Sequence, residues 1–455
     1  MTLKNFCILP FIHFATTTEG QCRLCCKVSK HDVIRDNNGV PYNVNTHSID
    51  EIWNSNHYRE LRSRILKDEK LEECSICFKE EETFYSAWNK DTKDELPSKR
   101  RKENQKWLHV EKTKLKDSIN SVVTDPTIKY FDIRLSNLCN LKCRMCWPHF
   151  SSQIVKEQQQ FNKQGLPTHY KHYNVDEWNT QKLWKSIDEQ ILHIEEITFV
   201  GGEPTLHEDM YNLLDKLVEK GYSKNIRLKI TSNLTNIQQR LIESFKSFKS
   251  VVINGSIDGI EEFNDYIRHP SDWKTINKNI DKLLLIDDLK LNLTPVIQIY
   301  NIFNLRNLIE WYVKKWIKTE KGENFLLSLD LLYDPNYLSV KLLNTYGKEK
   351  WYWNTYVPTI EYLDNILADI TSYPQEVQNY WKILDTLRRR IVNIALYTES
   401  VGYDESGKLQ YWFTESKAKD IDVYREKCKK YTQQLDKHRN QNIENIMKDF
   451  YEVIK

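Results

Sequence analysis

The chain has 455 residues, with 66 basic and 64 acidic side chains and a formal charge of +2. That near-balance leaves no net field to draw in a polyanion, which argues against nucleic acid as a partner. With 40% hydrophobic and 12% aromatic residues the composition excludes disordered and collagen-like chains, and no apolar run approaches the roughly 18 residues of a membrane helix.

Length suggests two or three domains, or one barrel with additions. The opening stretch, MTLKNFCILPFIHFATTTEG, has a short apolar patch interrupted by Cys7, Pro10 and His13, and no cleavage site follows. It is expected to be mature protein, and the chain cytoplasmic. Six of the ten cysteines fall in this first region: Cys7, Cys22, Cys25, Cys26, Cys74 and Cys77. Between them, SIDEIWNSNHYRELRSRILKDE predicts one amphipathic helix with Ile49, Ile52, Trp53, Leu61, Ile65 and Leu66 on its apolar face. Ser48 and Glu51 have the spacing of a capping box. Residues 1–86 form this cysteine-bearing region. Residues 87–126 are charge-dense, include the run KRRK at 99–102 and predict a linker with some helix, the basic run lying on a solvated face.

From 127 to 335 strands alternate with helices. Candidate strands span 128–135, 195–201, 226–232, 250–257, 291–300 and 326–333. Helical periodicities lie between them, for example Met210/Leu213/Leu214/Leu217 and Trp273/Ile276/Ile280/Leu283. Six β–α units without hairpin signals predict an α/β fold with a parallel sheet, open or closed into a partial (β/α)6 TIM-type barrel. Residues 336–455 predict a mostly helical region rich in aromatics, a candidate for substrate recognition. Its lone Cys428 is expected to be a half-buried thiol.

Two short segments carry the chemistry. Directly after the first candidate strand comes SNLCNLKCRMCWPHF, where Cys139, Cys143 and Cys146 have a C-x3-C-x2-C spacing. Three thiolates can hold three irons of a [4Fe–4S] cluster and leave the fourth open to a small molecule. A Cys3His zinc site completed by His149 fits the same spacing, although the spacing favours iron–sulfur. After the second strand comes VGGEPTL, with Gly201 and Gly202 adjacent in a chain that has only 12 glycines. Glycines at a strand end let backbone approach a ligand closely, and Glu203 adds a carboxylate acceptor for an ammonium group. The third strand ends in Thr231-Ser232-Asn233 and the fourth in Ser256-Ile257-Asp258-Gly259. Polar motifs at four successive strand ends are where a parallel α/β barrel gathers its active site.

CNLKCRMC followed by GGEP, TSN and SIDG resembles the radical S-adenosylmethionine (radical SAM) superfamily over roughly 127–335. The resemblance implies that Cys139, Cys143 and Cys146 hold a [4Fe–4S] cluster whose open iron binds SAM. It implies that Gly201, Gly202, Glu203 and Pro204 contact the SAM amino group, and that Thr231, Asn233 and Ser256 contact its ribose and carboxylate. Met145 takes the position where the family more often has an aromatic residue against the adenine. The implied activity is reductive cleavage of SAM to a 5′-deoxyadenosyl radical, fed by a one-electron donor such as flavodoxin or ferredoxin. That radical would abstract hydrogen from a peptide, protein or small metabolite, and oxygen would destroy the activity.

The N-terminal cysteines resemble the SPASM and Twitch auxiliary-cluster domains, here placed before the barrel. On that resemblance Cys7, Cys25, Cys74 and Cys77 are the expected ligands of a second [4Fe–4S] cluster, with Cys22 and Cys26 in reserve. That cluster would serve as electron acceptor or substrate ligand. The alternative from another class is a non-catalytic zinc-binding interaction protein that meets nucleic acid through KRRK. Neutral net charge and the four polar strand ends weigh against it.

Overall fold

The computed structural model describes residues 4–28, 32–79, 81, 99–107, 127–168, 181–403, 408–411 and 420–455. The fold is α/β, with a mostly parallel eight-stranded sheet and a helical C-terminal region. Among the described residues no helix is long and apolar enough to cross a membrane. The chain forms two compact units. One comprises Met1–Cys139, Pro148–Thr231 and Gln238–Val251, the other Asn140–Trp147, Ser232–Ile237 and Val252–Lys455.

In the first unit β1 (His13–Thr16) pairs antiparallel with β2 (Cys22–Arg23) and parallel with β3 (Tyr130–Arg134), His13 lying opposite Tyr130. β3 pairs parallel with β4 (Glu196–Val200), and β4 with β5 (Arg227–Ser232). β3 and β4 are buried along almost their whole length, as strands covered on both faces must be. β5 instead alternates: Leu228, Ile230 and Ser232 are buried, while Arg227, Lys229 and Thr231 are half-buried on the other face. The sequence assigned no strand to residues 1–86, and β1 is too short and too uniformly buried to show a period.

Two sequence expectations in this unit are corrected. The single helix expected over 48–69 is two, Ile49–Trp53 and Asn56–Leu66. Ser48 does form the capping box: its hydroxyl accepts the Glu51 amide and Glu51 accepts the Ser48 amide. Ser55, however, caps a second start by accepting from the Tyr58 amide, so the chain turns between the two helices. The KRRK run is solvated only in part: it opens the helix Lys99–Lys106, in which Lys102 is exposed and Arg101 half-buried but Arg100 is 6% exposed. Arg100 donates to the carbonyls of Lys4 and Phe6 and forks onto Glu81. Lys106 pairs with Glu196, whose carboxylate stays ionised because Lys229 and Lys106 outweigh the opposing effect of its burial. Residues 87–98 and 108–126 of the linker lie outside the described residues.

β6 is Ser250–Gly255. In the second unit β7 (Leu289–Leu293) pairs parallel with β9 (Phe325–Leu327). The expected strands 291–300 and 326–333 are each broken. β8 (Val296–Ile297) and β10 (Asp330–Leu331) pair with one another in a separate ribbon. Pro295 has no amide to give a ladder, so the first break falls there. The helices Trp273–Leu284 and Leu305–Thr319 bury the periodic residues the sequence marked, Ile276, Ile280 and Leu283 on one and Leu308, Ile309 and Tyr312 on the other. Cys428 is fully buried in the helix Ile421–Arg439 rather than half-exposed; an apolar core accepts a thiol readily.

Candidate active site

The first unit contains the approach to the cysteine loop. After β3 the segment Ser136–Cys139 turns back on itself, with Ser136 Oγ accepting the Leu138 amide at 2.9 Å. Ser152, first residue of the helix Ser152–Lys163, fixes both backbone groups of Cys139: its Oγ accepts the amide and donates to the carbonyl, each at 3.3 Å. The loop after β4 is laced to the same segment. The Gly202 amide donates to Ser136 O at 3.1 Å and the Glu203 amide to Leu138 O at 2.7 Å.

This lacing explains both glycines. Gly201 has φ +122°, a region closed to other residues. A Cβ at Gly202 would lie 2.2 Å from Leu138 O, so no side chain fits without moving backbone. Gly202→Ala is therefore expected to cost about 3 kcal/mol. Thermal unfolding of the purified variant checks this; an unchanged midpoint would show that the loop yields freely. Glu203 is 1% exposed, and its Oε1 accepts the Thr205 hydroxyl at 2.7 Å, which sets the carboxylate's direction. Pro204 opens the 3-10 turn that follows. Thr231 is half-buried at the end of β5. His149, the fourth ligand of the zinc alternative, lies 3.4 Å from Glu19.

In the second unit the loop Asn140–Trp147 is held from three sides. Asn233 Nδ2 donates to Asn140 Oδ1 at 2.8 Å, and Thr235 Oγ1 closes the triangle by accepting from Asn140 and donating to Asn233. The amides of Lys142 and Arg144 donate to the carbonyls of His269 and Ile267 at 2.7 and 2.9 Å. Arg144 is fully buried against the Tyr266 ring, 3.7 Å from its centroid, and pairs with Asp436 and Gln441. The Tyr431 hydroxyl donates to Arg144 O at 2.5 Å. The C-terminal region, in which the sequence marked no functional residue, thus grips the centre of the cysteine motif. No sequence pattern announces a pair so far apart along the chain.

Burial pushes the Cys143 thiol above its ordinary value; Arg268 works against that shift, Asp258 reinforces it and Arg439 opposes it. Cys146 and Met145 are half-buried. Ser256, also half-buried, donates its amide to Ser232 O at 2.8 Å, linking the third and fourth polar motifs. Asp258 is fully buried beside Arg268.

A second set of sulfurs gathers in the first unit. Cys7, Cys25, Cys74 and Cys77 line one small cavity together with Arg100. The Lys27 amide donates to Cys25 Sγ at 3.4 Å. Burial pushes the Cys25 thiol up to about 11. Burial and then the neighbouring Cys77 push Cys74 up to about 12. Cys7, Cys25 and Cys74, thiols that resist ionising in this cavity, fit with Cys77 around a cationic iron centre, which would draw off the protons and neutralise the thiolates. Cys22 lies in β2, fully buried, and neither it nor Cys26 lines this cavity.

In comparison with known proteins, residues 133–293 match the radical SAM superfamily, and residues 7–78 match the SPASM iron–sulfur cluster-binding domain. The chain is 27% identical over 179 residues to the radical SAM cyclopropyl synthase TigE of Paramaledivibacter caminithermalis, covering 38% of this chain and 36% of that protein. It is 28% identical over 173 residues to the GTP 3′,8-cyclase of Syntrophomonas wolfei, covering 37% of this chain and 47% of the cyclase. The chain therefore spans less than half the length of either relative. Among solved structures, Streptococcus suis SuiB bound to precursor peptide SuiA aligns over 73% of this chain and 67% of its own, with 16% identity and a TM-score of 0.35.

Proposed function

We propose that this chain, a radical SAM protein with an N-terminal SPASM domain, reductively cleaves SAM and abstracts hydrogen from a peptide, protein or small-metabolite substrate. The observation that carries this reading is the loop bearing Cys139, Cys143 and Cys146 at the end of β3, inside the residues that match the superfamily. When bound there, a [4Fe–4S] cluster supplies the electron that splits SAM into methionine and a 5′-deoxyadenosyl radical.

The chain's own residues bind and orient. Cys139, Cys143 and Cys146 are the ligands of this cluster. Gly201 and Gly202 bring backbone close to the SAM amino group, and Glu203, aimed by Thr205, accepts from it, with Pro204 fixing the turn. Thr231, Asn233 and Ser256 receive the ribose and carboxylate, and Met145 packs on the adenine. Cys7, Cys25, Cys74 and Cys77 hold the auxiliary [4Fe–4S] cluster, which serves as electron acceptor or substrate ligand. A flavodoxin or ferredoxin provides the electron.

Anaerobic reconstitution tests both assignments. Wild type is expected to bind about eight irons with matching sulfide, to change its spectrum on adding SAM and to release 5′-deoxyadenosine under reduction. Cys25→Ala should fall to about four irons and keep the SAM response, whereas Cys22→Ala and Cys26→Ala should keep about eight. Zinc without iron in the reconstituted wild type would overturn the reading.

A further inference from the structure

We propose that Arg268 is a positioning residue that sets the reduction potential of the cluster held by Cys139, Cys143 and Cys146, by holding its guanidinium charge against the Cys143 side of the loop. The inference rests on the ligand assignment made above. Its basis is a backbone clamp. The amides on either side of Cys143, those of Lys142 and Arg144, donate to the carbonyls on either side of Arg268, those of His269 and Ile267. Cys143 and Arg268 are thereby set beside each other by two main-chain hydrogen bonds, whatever their side chains do.

The side chain is held as firmly. Arg268 is 7% exposed at the end of the helix Glu261–Ile267, and its amide donates to Asn264 O at 2.8 Å. Its Nε lies 2.8 Å from Asp258 Oδ2, in ionic contact but without the alignment of a hydrogen bond. Asp258 cannot follow a moving partner. Its Oδ1 accepts the Val296 amide, its own amide donates to Asn264 and its carbonyl accepts from Asn301. Asp258 thus anchors the guanidinium beside the loop.

A cluster gains negative charge on reduction, so a fixed cation beside its thiolates stabilises the reduced form more than the oxidised one. Hydrogen bonding and local charge are the levers by which a protein sets such potentials. Arg268 therefore raises the potential and brings reduction within reach of a one-electron donor.

The test is a potentiometric titration of reconstituted protein followed by electron paramagnetic resonance. Arg268→Gln is expected to shift the midpoint of the SAM-responsive cluster to a more negative value, leave the auxiliary midpoint in place, and slow reduction by the donor. Arg268→Lys, which keeps the charge, is expected to return the midpoint toward wild type. A fully loaded Arg268→Gln protein with the wild-type midpoint overturns the proposal. If Arg268→Gln does not fold or load, Asp258→Asn decides: stripped of its counter-charge, the guanidinium should move the midpoint to a more positive value, and an unchanged or more negative midpoint overturns the proposal. Failure of the underlying assignment looks different, because Cys143→Ala would then retain the SAM-responsive signal.

Discussion

Cys143→Ala is expected to abolish 5′-deoxyadenosine formation and to remove one of two clusters, taking the reconstituted protein from about eight irons to about four. Cys143 is a buried thiol in a loop fastened on both sides by main-chain hydrogen bonds, so its loss removes a ligand without freeing the backbone. The residues that hold the loop, Asn140, Lys142 and Arg144, offer no thiolate in its place. The auxiliary cluster's absorbance should persist, since its four cysteines line a separate cavity. Iron and sulfide assays with product chromatography check the result. Continued SAM cleavage by the variant would show that the catalytic cluster is held elsewhere.

Asp436→Ala is expected to destabilise the protein by about 3–5 kcal/mol, because it leaves the buried Arg144 guanidinium without its counter-charge. Asp436 also accepts the Tyr266 hydroxyl at 2.8 Å and the Ile443 amide at 2.8 Å, so truncation releases several buried donors at once. The unfolding midpoint should fall by several degrees. Because Arg144 lies between Cys143 and Met145, cluster loading should fall with it. Thermal unfolding of the apoprotein separates the two effects. A variant as stable as wild type, yet poorly loaded, would show that Asp436 acts on the loop alone.

The two cysteine-bearing segments were legible because short spacings mark them, and Cys7, Cys25, Cys74 and Cys77, grouped on a family resemblance, line one cavity. The parallel sheet was legible from the alternation of strand and helix periods. What escaped notice depends on distant partners. Arg100 looked solvated inside KRRK because composition cannot show that the carbonyls of Lys4 and Phe6 and the carboxylate of Glu81 wait for it. Arg144 sat within the motif but gave no sign of Asp436. Ser55 broke the predicted helix because a serine followed by a helical stretch caps a new start as well as it tolerates an old one. Arg268 carries no motif of its own, and only the clamp on Cys143 brings it to light.

The parallel pairing of β1 with β3 has a consequence for biosynthesis. His13 leaves the ribosome long before Tyr130, so β1 must wait as an open edge while most of the cysteine-bearing region is already made. Among the described residues, its early strand partner is the two-residue β2. An unpaired edge invites pairing with other chains, and parallel contacts between remote segments form slowly. Expression at lower temperature is the condition under which this chain should accumulate as soluble protein, because fewer chains with an unpaired β1 are then present together and their association is slower.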